Sequence, residues 1–286
     1  MYMEIFRADV LINEKHILAE GPVWDEREQI LHYVDIKNNT VFTYHPATGK
    51  KYGFDTNQNT GCFALRQEGG YILGLASGVY ISNRDGDLER YTDLLFDPMT
   101  RANDGKCDLH GNFWCGTADL KDGAQKGKLY RFSPDGTVRK VMDNLECSNG
   151  MAFRGNRMWY IDSMRHRVDS YRVDPETGAL SDHRVIAEIR TPGIVPDGMT
   201  IDAEGMLWVA HWGGGFVGRY HPETGELLAR VEVPASHSSS CCFGGKDLQT
   251  LFITTASVGR PNEPEAGKVF AVRLPYQGCI MNRYPG

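Results

Sequence analysis

A pattern that recurs every 41 to 49 residues constrains the fold of this 286-residue chain more than any other feature. Each copy contains an apolar run, a few polar residues, a second apolar run and a turn rich in Pro, Asp and Gly. The clearest copies end in HPATG (45–49), DPETG (174–178) and HPETG (221–225), and weaker copies end in NRDG (83–86) and SPDG (133–136). A sixth begins near Leu251. Repeats of this length with several short strands are typical of propeller blades.

The turn residues and the absence of other patterns favour the same fold. Asp-Gly, and Pro-Glu-Thr-Gly with its final glycine, supply the positive φ that tight hairpins need. Six copies account for the whole sequence, and no helical periodicity or flexible linker interrupts them. We therefore predict an all-β, six-bladed β-propeller formed by residues 1–286 as a single domain. Because propellers usually close through a terminal strand, we expect residues 4–10 to complete the sheet that holds residues 268–274.

Four polar residues share one phase of this repeat, ten or eleven positions ahead of the centre of an apolar run: Glu20, Asn103, Asn149 and Asp197. They begin the predicted innermost strands of four blades, and Cys62 and Cys242 take the same place in the other two. Because equal phase in a closed ring means equal height, we expect these side chains to meet in the central channel. Glycine follows three of the four and permits close backbone approach there.

The chemistry of these four side chains indicates a site for a divalent cation. Carboxylate and amide groups offer only oxygen, which suits Ca²⁺, Mg²⁺ or Mn²⁺, although Zn²⁺ and Fe²⁺ also accept carboxylates. An isolated Asn-Gly or Asp-Gly pair is usually a turn, and it is the shared phase that favours a site. Three protein ligands would leave positions for water and substrate.

Other segments carry weaker signals. There is no G-x-S-x-G elbow, H-E-x-x-H zinc motif or phosphate-binding loop. Arg101, two residues before Asn103, could hold a carbonyl, carboxylate or polyol oxygen, or form a surface salt bridge. His211 and Trp212 could face a ligand or simply pack. Residues that follow Asn103 are interpreted as neighbours of the site or turn residues: Asp104, Lys106 and Asp108.

Composition excludes several classes of partner. The formal net charge is −6 and no dense run of Lys or Arg appears, which argues against nucleic-acid binding. The N-terminus lacks the features of a signal peptide, and no apolar run is long enough to span a membrane, so we expect a cytoplasmic protein without a membrane partner. Seven cysteines without a C-x-x-C pair are expected to be reduced thiols that act as small apolar side chains.

Six motifs together resemble those of the gluconolactonase, regucalcin (senescence marker protein) and luciferin-regenerating enzyme family: EGPVW (20–24), RANDGKCD (101–108), GTAD (116–119), SNGMAF (148–153), PDGM (196–199) and SCCFGG (240–245). The resemblance implies a six-bladed propeller with one divalent cation in its channel. It implies that the cation is held by Glu20, Asn149 and Asp197. It also implies that Arg101 and Asn103 contact substrate and that Asp197 is the general base.

The activity implied by the resemblance is hydrolysis of a small sugar lactone to its aldonic acid. The metal remains open among Ca, Zn, Mn, Mg and Fe. The sequence departs from some animal members at Lys121, where they have a Glu that contacts the sugar, and Asp119 is a possible substitute. Two alternatives are a non-enzymatic calcium-binding or regulatory propeller and a related metal-dependent esterase or phosphotriesterase.

Overall fold

The computed structural model describes residues 3–286, and in it the repeats form six sheets. Two strands precede the first blade: β1 (Glu4–Arg7) and β2 (Asp9–Ile12). Blade one contains β3 (Ala19–Asp25), β4 (Ile30–Asp35), β5 (Thr40–His45) and β6 (Lys50–Asp55). Blade two contains β7 (Thr60–Leu65), β8 (Tyr71–Leu75), β9 (Gly78–Ser82) and β10 (Leu88–Leu95). Blade three contains β11 (Thr100–Cys107), β12 (Phe113–Asp119), β13 (Gly127–Phe132) and β14 (Val138–Leu145).

The second half of the chain continues the same plan. Blade four contains β15 (Ser148–Arg154), β16 (Arg157–Asp162), β17 (Arg167–Val173) and β18 (Leu180–Glu188). Blade five contains β19 (Val195–Ile201), β20 (Leu207–Trp212), β21 (Phe216–Tyr220) and β22 (Leu227–Glu232). Blade six contains β23 (Ser238–Gly244), β24 (Thr250–Thr255) and β25 (Val269–Arg273). Two 3-10 helices, Ile36–Asn38 and Ser163–Arg165, follow β4 and β16.

The first strand of each blade lines a central channel. These innermost strands (β3, β7, β11, β15, β19 and β23) each contact the innermost strand of the next blade, and the contacts close into a ring. They are buried over nearly their whole length, whereas the outermost strands are largely exposed. Aromatic pairs seal neighbouring blades, as where Trp24 of blade one stacks on Phe252 of blade six with ring centroids 5.3 Å apart. The predicted six-bladed β-propeller is therefore confirmed.

The N-terminal segment closes the ring in two places rather than one. β2 pairs antiparallel with β25, with Val10 opposite Phe270, so that part of the prediction is confirmed. β1 instead pairs parallel with β22 of blade five, with Ile5 opposite Arg230, and assigning all of residues 4–10 to blade six was wrong. The physical reason is that blade six lacks only one strand, whereas the outer edge of blade five remains free to accept another.

The C-terminal residues 275–286 cross the face of the propeller at which the innermost strands end. Gly278 bonds to the backbone of blade six, and the Asn282 side-chain amide donates to the carbonyl of Cys107 in blade three at 3.3 Å. The N–H of Tyr284 donates to the carbonyl of Leu65 in blade two at 2.9 Å. We call this side the closed face, and the opposite side, where the innermost strands begin, the entrance face.

The remaining expectations concern thiols and membrane spans. All seven cysteines are free, as predicted, and the Sγ atoms of Cys62 and Cys115 lie 3.7 Å apart in the core without a disulfide. Within residues 3–286, neither helix has the length or hydropathy needed to cross a bilayer.

Candidate functional site

A bulge near the start of each innermost strand positions the polar residues predicted from the sequence. Regular pairing is interrupted between Ala102 and Gly105, between Ser148 and Met151, and between Pro196 and Met199. Asn103, Asn149 and Asp197 occupy the first bulged position in their blades. In blade one the interruption begins directly after Glu20. Because a bulge redirects side chains, these residues leave the regular pleat and point into the channel.

The sequence did not place the other two blades correctly. Their bulges are one residue shorter, between Thr60 and Cys62 and between Ser238 and Ser240, so Gly61 and Ser239 occupy the equivalent positions. Cys62 lies after its bulge, and Cys242 pairs with Phe252 in the core between blades six and one. Assigning the two cysteines to the same phase as the polar residues was therefore wrong, because Gly61 lies one residue before Cys62 and Ser239 lies three residues before Cys242, and a count from an apolar centre does not show where a bulge falls.

A serine in the connection between β16 and β17 orients the Asn149 side chain. Its Nδ2 donates to Ser163 Oγ at 3.0 Å, and that hydroxyl donates to the carbonyl of Pro196 at 2.7 Å. The opposite atom, Asn149 Oδ1, is buried without a hydrogen-bond partner, and so is Asp197 Oδ1. Buried acceptors without donors are costly, so these two oxygens are suited to bind a cation or a hydrogen-bond donor.

The electrostatics of the two acidic side chains, Glu20 and Asp197, also favour a bound cation. Burial raises the pKa of Glu20 well above its ordinary value, and the charges of Asp197 and Asp104 raise it further. Burial and then the charge of Asp104 likewise raise the pKa of Asp197, against opposing effects of Asn149 and Arg101. Glu20 and Asp197 are therefore close enough to repel each other when both are ionised, and a cation between them would relieve this repulsion.

Arg101 and Asn103 form a linked pair beside these acids. Arg101 Nη1 donates to Asn103 Oδ1 at 2.7 Å and to the carbonyl of Ala102 at 2.8 Å. Asn103 Nδ2 donates to the carbonyl of Ser148 at 2.9 Å. Both ends of the Asn103 amide are thus engaged within the protein, unlike Asn149. Burial lowers the pKa of Arg101, and the charges of Cys147, Glu20 and Asp197 oppose the change, which places the guanidinium at the same site.

The donor set fits a hard divalent cation. Two carboxylates and one amide oxygen converge, and two of their oxygens lack partners. Within residues 3–286, no three His, Cys, Asp or Glu side chains are grouped so as to hold a metal, so a third protein donor would have to come from an amide. Asn149 Oδ1 is the donor that the structure leaves free. Oxygen-only donors favour Ca²⁺, Mg²⁺ or Mn²⁺.

Sequence reasoning underrated two residues beneath the site. Asp104 is buried, and its Oδ1 accepts the N–H of Gly105 at 2.6 Å. Lys106 Nζ donates to the carbonyl of Met199 at 2.7 Å. Burial raises the pKa of Asp104 and lowers that of Lys106, and each charge opposes the shift of the other. The available signal was the presence of a carboxylate and an amine within three residues of Asn103 on the same strand.

Cys147 was not predicted to belong to this region. Its Sγ lies 3.7 Å from Asn103 Nδ2 and 3.9 Å from Asn149 Nδ2, so it separates the two amides. Burial and the charge of Asp197 raise the pKa of the thiol to about 12. It therefore stays protonated near neutral pH, and no motif around it in the sequence indicated this position.

Three other candidates have clear structural roles. The His211 ring stacks on Phe216 with centroids 4.0 Å apart, and its Nε2 lies 2.9 Å from the Tyr220 hydroxyl, so it packs within blade five. Asp108 accepts backbone N–H groups of the turn that follows it, as interpreted from the sequence. The Asp119 carboxylate accepts the backbone N–H groups of residues 125–127. Asp119 was the possible substitute for the sugar-contacting Glu of some animal members, and its carboxylate is engaged by this loop. Lys121 is exposed.

Comparison with known proteins supplies relatives for this chain. Residues 18–257 match the family described as the SMP-30/Gluconolactonase/LRE-like region. Regucalcin from Danio rerio is 37% identical over 297 residues, which covers 99% of this chain and 100% of the relative. YvrE from Bacillus subtilis (strain 168), a proposed sugar lactone lactonase, is 33% identical over 90% of this chain and 91% of its own length. The crystal structure of regucalcin from Agrobacterium tumefaciens, a calcium-binding protein, has a TM-score of 0.91, 25% identity and 99% coverage of each chain.

Proposed function

Because this chain belongs to the SMP-30/gluconolactonase/LRE-like family, we propose that it hydrolyses a sugar lactone to the aldonic acid. One observation carries the proposal: the unpartnered oxygens of Asn149 and Asp197 lie beside Glu20 in the channel of a propeller of this family. A family relative proposed to be a sugar lactone lactonase supports the reaction class. A regucalcin structure described as calcium-binding supports a cation.

The cation would be held by Glu20, Asn149 and Asp197. When bound there, a divalent cation polarises a carbonyl and stabilises the negative charge that develops on its oxygen. Asn149 is a neutral ligand, so the protein supplies two negative charges and does not over-neutralise the ion. We include Ca²⁺, Mg²⁺, Mn²⁺, Zn²⁺ and Fe²⁺ as candidates, with the oxygen donors favouring the first three.

Arg101 and Asn103 are assigned to substrate binding. The guanidinium is held by Asn103 Oδ1 and the carbonyl of Ala102, so its orientation is defined before substrate binds. Its remaining N–H groups can donate to a ring or hydroxyl oxygen of the lactone. Orientation by fixed groups lowers the entropic barrier to attack on the carbonyl carbon.

Asp197 is assigned as the general base. Its carboxylate accepts a proton from a water molecule as the oxygen of that water attacks the lactone carbonyl carbon. The C–O bond of the ring then breaks, and the same proton is available to the leaving ring oxygen, which becomes a hydroxyl of the aldonic acid.

The test is a panel of aldonolactones assayed by base consumption at constant pH. Protein stripped by chelator receives each of the five cations in turn, and at least one is expected to restore turnover. Asp197→Ala is expected to abolish it, and substantial activity in that variant would overturn the mechanism. Tight Ca²⁺ binding without turnover of any lactone would favour a calcium-binding protein. Turnover of aryl esters or phosphotriesters well above lactones would favour a different hydrolase.

A further inference from the structure

A cavity of about 330 Å³ opens on the entrance face next to Arg101, between blades two and three. Five apolar side chains form most of its wall: Ala76, Leu95, Phe96, Pro98 and Leu120. We call it the rim pocket. Arg101 lines this pocket and also bonds to Asn103, so its guanidinium lies between the rim pocket and the candidate site. A ligand whose polar part reaches Arg101 can therefore place another part in the rim pocket.

The polar side chains of the rim pocket already have partners inside the protein. Asn59 Nδ2 donates to two oxygens of blade one at 2.8 and 2.9 Å. The Ser77 hydroxyl lies 2.9 Å from the Tyr80 hydroxyl, and Thr100 Oγ1 donates to the carbonyl of Asp97 at 2.9 Å. A hydroxylated group that entered the rim pocket would lose its hydration and find few free partners. An apolar group would lose no hydrogen bonds to water on entering, and it would cover exposed apolar surface of the pocket.

The apolar wall is held in place before any ligand arrives. The N–H of Leu120 donates to the carbonyl of Met99 at 2.9 Å, which ties the loop after β12 to the loop before β11. Phe96 stacks on Tyr130 with ring centroids 5.5 Å apart. Leu95 and Leu120 nevertheless expose 62% and 56% of their surface. Large apolar side chains that are both fixed and exposed beside a site are typical of a binding surface.

We propose that the rim pocket receives an alkyl or aryl substituent of the substrate, so that the same site hydrolyses lactones bearing such a group in addition to sugar lactones. The inference rests on the proposed function for the reaction, but the pocket itself can be tested by binding alone. Leu95 and Leu120 are then the residues that determine specificity. The bond that breaks and the proton transfers are the same as for a sugar lactone.

The first experiment measures kcat/KM for γ-butyrolactones that carry 4-alkyl chains of increasing length. The value is expected to rise by roughly fourfold for each buried methylene until the rim pocket is filled. Leu95→Asp and Leu120→Asp are expected to remove this dependence of kcat/KM on chain length. Leu109→Asp is the matched control, because Leu109 is 51% exposed on the closed face. Equal kcat/KM along the series in the wild-type protein would overturn the inference.

The second experiment measures binding of the corresponding 5-alkyl-2-pyrrolidinones, which are lactams that resist hydrolysis, by titration calorimetry. Affinity is expected to rise with chain length in the wild type and in Leu109→Asp, and to stay flat in Leu95→Asp. A rise in affinity without turnover of any lactone would contradict the proposed function but support the rim pocket. Turnover of lactones with no effect of chain length on either measurement would overturn the rim pocket and leave the proposed function standing.

Discussion

Ser163 accepts a hydrogen bond from the Asn149 amide at 3.0 Å and thereby fixes which end of that amide faces the channel. The serine hydroxyl cannot turn away, because it donates its own proton to the carbonyl of Pro196 at 2.7 Å. Asn149 Oδ1 is thus left without a partner, and the side chain lies close enough to Asp197 to affect the pKa of that carboxyl. Ser163 begins the 3-10 helix between β16 and β17. This connection therefore sets the orientation of Asn149, a proposed cation ligand on β15 of the same blade.

Replacing Ser163 by alanine tests this relationship. Without the acceptor, the Asn149 amide can turn its NH₂ group toward the channel, and the cation loses a ligand. We expect Ser163→Ala to weaken Ca²⁺ or Mn²⁺ binding by roughly 10–100-fold, the usual effect of losing a group that orients a ligand. Titration calorimetry of chelator-stripped protein measures it. Ser82→Ala is the control, since Ser82 is buried in blade two and its hydroxyl has no partner. An unchanged cation affinity in Ser163→Ala would show that Ser163 does not orient a cation ligand.

The raised pKa values of Glu20 and Asp197 predict how stability depends on pH when no cation is bound. A carboxyl whose pKa is higher in the folded than in the unfolded protein stabilises the fold at low pH, and this contribution is lost as pH rises through the folded pKa. In chelator, Asp197→Asn should therefore be more stable than the wild type at pH 8, and the difference should shrink toward about pH 4, near the unfolded value.

Thermal unfolding with and without cation checks this prediction. In chelator at pH 8, the Tm of Asp197→Asn should exceed that of the wild type by about 2–4 °C for each kcal/mol of repulsion removed. Added Ca²⁺ should raise the Tm of the wild type much more than that of the variant, because only a folded protein that binds the ion is stabilised. A variant that is less stable than the wild type in chelator at pH 8 would show that the two carboxylates do not repel each other.

Arg101→Lys tests whether the shape of the guanidinium matters as well as its charge. Lysine keeps the charge but cannot hold Asn103 Oδ1 and the carbonyl of Ala102 while also donating to substrate. Loss of a hydrogen bond from a charged group is expected to lower kcat/KM for a lactone by roughly 10–100-fold, mainly through KM. Arg157→Lys is the control, because Arg157 bonds to Ser170 in blade four, away from the site. An equal fall in kcat/KM in Arg101→Lys and Arg157→Lys would contradict the assignment of Arg101 to substrate binding.

The sequence predicted the positions of the polar residues because each lies ten or eleven residues before an apolar centre, so the chain between the two has nearly the same length in these four blades. Glu20, Asn103, Asn149 and Asp197 could be aligned by counting from the apolar centres. The same count failed for Cys242, because the bulged residue of blade six, Ser239, lies 13 residues before the apolar centre at Phe252 rather than ten or eleven.

Contacts between distant segments lay beyond the sequence. The role of Ser163 depends on its contact with Pro196, 33 residues later in the chain, where blade four meets blade five. The rim pocket depends on the bond between Leu120 and Met99, which joins two loops of unremarkable composition. Strand propensity identified the N-terminal segment, but the partner of β1 is set by which sheet edge remains free in the folded protein.

Two N-terminal deletions separate the contributions of β1 and β2 to ring closure. Removing residues 1–7 takes away β1, an exposed additional strand in which Ile5 is 56% exposed, so a fall in Tm of only a few degrees is expected. Removing residues 1–10 also takes away Ala8, buried between blades five and six, and the pairing of Val10 with Phe270. That deletion leaves blade six with an open edge and should lower the Tm far more. Circular dichroism during heating measures both, and equal losses in the two deletions would show that β2 does not close the ring.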